Sequence, residues 1–154
     1  MKRLIIVAML LPAITSAQNA WVDQAYIQWC FSQAQPDGGL SACVGKAAGA
    51  CQTAPGNDTT IGMAQCIQAE TQVWDTFLNE QYQLRISELS EQSPGLSDQL
   101  RNAQRAWISF RDAECALTYS IWSGGTIRTI IAANCMLTET AERAVELRDL
   151  GKME

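Results

Sequence analysis

The chain contains no histidine, only three phenylalanines and three tyrosines beside its five tryptophans, and only four prolines. The missing imidazole removes a common general base and a common metal ligand, so catalysis would have to rest on carboxylates or an activated serine. No G-x-S-x-G elbow, glycine-rich nucleotide loop or CxxC pair occurs, and these absences argue against a serine-hydrolase elbow, a phosphate cradle and a zinc site. Neither enzymatic activity nor a cofactor is expected. There is also no convincing alternating run of β-branched residues, no internal repeat and no low-complexity segment. Lacking strand signals, the chain reads as all-α.

An apolar run from Leu4 to Leu11 follows Lys2 and Arg3, and small residues end at Ala17. That is the pattern of a secretory leader cut after Ala17. The run is too short to span a bilayer, and no cysteine follows the expected cut, so neither a membrane helix nor a lipid anchor is indicated. A periplasmic or secreted protein is expected. The leader carries two of the 11 basic residues and none of the 16 acidic ones, so the net charge of −5 becomes −7 after cleavage. Such a balance disfavours nucleic acid and favours encounter with a basic protein.

Six cysteines remain, at 30, 43, 51, 66, 115 and 135, an even count in an oxidising compartment. Cys30 and Cys43 lie nearly equidistant from "QPDGG", Cys51 and Cys66 from "APGNDTT", and Cys115 and Cys135 from "GGT". Residues equally far from the turn of an antiparallel helical hairpin face one another, so pairing in sequence order is expected.

Apolar spacing predicts three long helices. One runs from Thr60 to about Leu89 with Met63, Cys66, Ile67, Val73, Trp74, Phe77, Leu78 and Tyr82 inward, and "SPG" at 93–95 ends it. A second carries Leu96, Leu100, Ala103, Trp107, Phe110, Leu117 and Ile121 inward, which also turns Glu114 inward. "SGGT" breaks it, and Thr126 can cap a third with Ile127, Ile130, Ile131, Ala141, Val145 and Leu147 inward. Two shorter helical stretches, near 20–34 and 40–50, precede them. The whole reads as a small disulfide-stapled bundle of antiparallel helices with most of its tryptophans in the core.

Within "QRAWISFRDAEC", Gln104, Ile108, Arg111 and Cys115 form an edge beside the apolar stripe. A border arginine can lay its stem along the core and offer its planar head to a carboxylate on the facing helix. Asp75, Asn79 and Tyr82 form a polar strip on the preceding helix, so the expected structural clamp is Arg111 to Asp75, supported by Gln104 and Asn79. Arg101 and Arg105, four apart on one face, are candidates for partner contact, with Asp112 and Glu114 beside them.

These segments carry a resemblance. "TTIGMAQCIQAETQVWDTFLNEQYQLRISEL", "LRNAQRAWISFRDAECALTYSIWSGGT" and "AANCMLTETAERAVEL" are similar to the LprI-type lysozyme inhibitor family, most specifically at Ala103 to Trp107, Phe110 to Asp112, and Cys115. The similarity spans about residues 51–150; residues 18–50, with Cys30 and Cys43, form a helical extension expected to pack with that domain as one unit. The resemblance implies an exported all-α domain that binds a basic lysozyme-type protein. An envelope structural or assembly factor without lysozyme contact, or a carboxylate-based hydrolase, are the alternatives.

Overall fold

The structure, a computed structural model, describes residues 21–34 and 42–152. The expected leader, residues 1–17, and the "QPDGG" segment, residues 35–39, where a turn is expected, lie outside the described residues. Five helices follow one another: α1 (Gln24–Gln33), α2 (Lys46–Gln52), α3 (Thr60–Gln92), α4 (Pro94–Ile121) and α5 (Ile127–Asp149), with no strand among the described residues. The fold is all-α, and three cystines staple it.

Local chemistry sets most helix ends. Asp23 caps α1 by accepting a hydrogen bond from the Tyr26 amide, and Thr59 caps α3 by accepting one from Gly62. Gly62 is needed for space: a β-carbon there would meet the Asn57 backbone at 2.6 Å. Pro94 opens α4 at a position where no amide hydrogen is required, so α3 and α4 join through Ser93 alone. Thr126 precedes α5 without capping it; its hydroxyl lies 3.5 Å from that of Thr60, tying the starts of α3 and α5 together.

The main packing is α3 against α5, with α4 running back along both and α2 laid on α3. Ile27, Ile67, Trp74, Leu137, Val145 and Leu147 are almost wholly enclosed. Phe31 of α1 stacks on Phe77 at 5.0 Å between ring centres and meets the Trp74 ring edge-on at 6.0 Å. The cystines join Cys30 to Cys43, Cys51 to Cys66 and Cys115 to Cys135, with α-carbons 5.6 to 5.8 Å apart. These are the pairs that hairpin spacing predicts.

The facing of α4 corrects the sequence-based expectation. Its buried residues are Ser97, Leu100, Gln104 and Cys115, with Trp107, Arg111 and Thr118 half-buried, whereas Ala103, Phe110, Glu114, Leu117 and Ile121 are exposed. The helix is turned by roughly a quarter of a revolution, because the Cys115–Cys135 bond points the Cys115 side at α5. Ile127 of α5 is exposed as well. Of the tryptophans, Trp74 is buried and Trp107 half-buried, while Trp21, Trp29 and Trp122 face solvent.

Candidate functional site

The inward side of α4 is polar in its middle. Two guanidinium groups lie over the Trp107 ring, Arg111 4.9 Å and Arg143 of α5 5.8 Å from its centre. Arg143 donates from Nε to Gln104 Oε1 at 3.0 Å and from Nη1 to Glu146 at 2.9 Å. Gln104 therefore joins α4 to α5. An electron-rich indole face favours such cations, and their stems cover apolar surface that would otherwise meet water.

The expected Arg111–Asp75 clamp does not form. Arg111 donates to its neighbour Asp112, at 3.0 Å from Nε and 2.8 Å from Nη2, while Asp75 sits on an exposed strip of α3 and accepts from Asn79 at 3.0 Å. The physical reason is that the indole face competes for the guanidinium, and the adjacent carboxylate reaches it without crossing between helices. Asp75 and Asn79 thus pair with each other, and Gln104 pairs with Arg143.

Arg101, half-buried, and Arg105, exposed, lie one turn apart on a flank of α4 away from the exposed apolar residues. Arg101 bonds Asp98 at 2.7 Å and Ser97 at 3.2 Å, and Arg105 bonds Asn102. Asp112 is exposed beside Arg105 on that side, whereas Glu114 belongs with the outward apolar residues.

Several residues that organise the molecule were not anticipated. Glu70 of α3 is buried and accepts from the amides of Gly45 at 2.8 Å and Ala48 at 2.7 Å, and from Trp74 Nε1 at 3.3 Å. One carboxylate thereby satisfies the start of α2 and matches its positive dipole end. The signal was present, since Glu70 falls on the stripe of Met63, Ile67 and Trp74 where an unpartnered charge could not stay. Arg148, near the end of α5, donates to the Phe31 carbonyl and, at 2.6 Å, to that of Ala34, closing the free end of α1. Asp149 holds that guanidinium in turn, and the Arg148 hydrogen bond is the main reason its pKa is lowered to about 2.

On α5, Glu139, Glu142 and Glu146 line one edge. Burial, then the charges of Glu139 and Glu146, raise the pKa of Glu142. A cleft of about 420 Å³ between α3, α4 and α5 is lined by Gln68, Thr71, Gln72, Tyr119, Thr129 and Met136 among others. Among the described residues no group of three or more Cys, Asp or Glu side chains is placed to hold a metal ion, and no helix is long and apolar enough to cross a membrane.

An uncharacterised protein of Rhizobium meliloti (strain 1021) is 28% identical over 65% of this chain and 87% of its own length. An uncharacterised 17.7 kDa protein of Rhodobacter capsulatus is 27% identical over 96% of this chain and 94% of its own. No solved structure gives a significant match. The family model described as lysozyme inhibitor LprI matches residues 51–147, which take in the second and third cystines, Glu70 and the Gln104–Trp107–Arg143 cluster. With that match covering more than half its length, the chain belongs to the LprI lysozyme-inhibitor family.

Proposed function

We propose that the protein is an exported binding module that inhibits a basic lysozyme-type muramidase by occluding it. The family match over residues 51–147 carries the reading. Two features support it: the acidic balance of 16 carboxylates against 11 cations would speed encounter with a basic partner, and three cystines suit a small domain working in an oxidising compartment. In this reading the chain performs no chemistry of its own. It acts by surface complementarity.

The test is a turbidity assay in which the purified, oxidised protein is titrated into a basic lysozyme clearing a suspension of peptidoglycan-bearing cells. Inhibition that saturates near equimolar amounts is the expected result. Unchanged clearing at a large molar excess, with no binding by calorimetry, would overturn the reading and favour an envelope structural role.

A further inference from the structure

The outward side of α4 is unusual for a helix at a domain surface. Ala103, Ala106, Phe110, Ala113, Leu117 and Ile121 recur at spacings of three and four and are all exposed, Phe110 and Leu117 by 55% and Ile121 by 69%. Single exposed apolar residues are ordinary; a continuous stripe about 27 Å long at 1.5 Å per residue marks a contact surface. The stripe is also rigid, because Leu100 anchors α4 in the core and the Cys115–Cys135 bond fixes its far half to α5. A preformed surface loses little freedom on binding.

We propose that this face of α4, with the acidic edge of α5 beside it, is where the chain docks its basic muramidase; the proposal rests on the inhibitor reading above. Charge selects the occupant. Glu114 lies on the stripe side of α4, and the contacts of Arg143 with Gln104 and Trp107 bring the α5 edge bearing Glu139, Glu142 and Glu146 alongside. Arg111 is engaged by Asp112 and Arg143 by Glu146, so Glu114, Glu139 and Glu142 carry the acidic flank. An apolar strip flanked by carboxylates fits a protein with apolar contacts in a positive surround, whereas a second copy would set two acidic edges together.

The experiment measures affinity of the full oxidised chain for a basic c-type lysozyme at low and physiological salt, alongside the lysis assay. Phe110→Ser, Leu117→Ser and Ala106→Arg should each weaken binding by about tenfold or more with melting unchanged, as expected for residues at an interface centre. Glu142→Lys should slow association, most at low salt. Gln83→Ala, on α3, should bind as the parent does. Ala106→Arg removes no buried contact, so it carries the test if Phe110→Ser or Leu117→Ser melts early. Should the parent inhibit while all three α4 variants bind equally well, or while Arg105→Ala alone abolishes binding, the docking face is wrong and the inhibitor reading stands. If the parent neither binds nor inhibits, both fall. Self-association that the same variants abolish would make a second copy the occupant and overturn the proposal.

Discussion

Trp107 illustrates how one side chain decides where two cations go. Arg111 has a half-buried stem, an indole face and an exposed carboxylate neighbour, so Arg111→Ala should cost about 1 kcal/mol, the scale of a cation–π contact with a surface ion pair. Because Asp75 bonds Asn79 instead, the effects of Arg111→Ala and Asp75→Ala should add in the double variant to within about 0.5 kcal/mol. Chemical denaturation of the four proteins measures this, and strong coupling would restore the interhelical clamp. Glu70 is the opposite case. Its removal leaves two amides and an indole N–H without an acceptor in a dry site, so Glu70→Ala should cost about 3 kcal/mol or more, and Glu70→Gln less, since the amide keeps one acceptor oxygen. Thermal melts of the two variants rank them.

Among the elements, the long helices were legible because their breaks are chemically plain: "SPG" precedes α4 and "SGGT" precedes α5, and periodicity fills the space between. The α3 stripe was also legible, since Cys66, Ile67, Trp74, Phe77 and Leu78 are all buried. The orientation of α4 was not. Counting apolar residues assumes that the more apolar side turns inward, and in α4 that side carries Phe110, Leu117 and Ile121 outward. A cysteine committed to a disulfide is the better guide, because it must point at its neighbour. Cys115 shares its side of the helix with Gln104, Arg111 and Thr118, and that side is the one that packs. The candidate site was correspondingly half visible: the stretch around Trp107 stands out in the sequence, but its partner Arg143 comes from the following helix at a register that only packing reveals. Replacing Cys115 and Cys135 together by serine should cost about 3 kcal/mol on the chain-entropy estimate, loosening the far half of α4 first. Hydrogen exchange across residues 112–121 would show it, and faster exchange confined to α1 would contradict it.

For the whole molecule, acidity acts through two carboxylates with opposite signs. Asp149 has a folded pKa lowered to about 2 from 3.8, so its contribution is complete above pH 3.8 and is lost as pH falls toward 2. Because Asp149 steadies Arg148, the grip on α1 should loosen over that window, and Asp149→Asn should flatten the acid limb of a stability-against-pH curve. Glu142 has a raised pKa, so it favours the fold below its usual value of 4.5 and opposes it as pH rises past its folded value. Glu142→Gln should therefore melt slightly higher at neutral pH while associating more slowly with a basic lysozyme, which a melt and a binding trace check together.

The contacts of α1 and α2 also bear on how portable the family segment is. The match begins at Cys51 and ends at Leu147, one residue before Arg148. A fragment cut at those borders would uncover the Phe77 and Trp74 rings that Phe31 shields and would strip Glu70 of the two amides it accepts from. Grafting the segment between proteins should succeed only when the graft brings an aromatic plug and a helix start along with it.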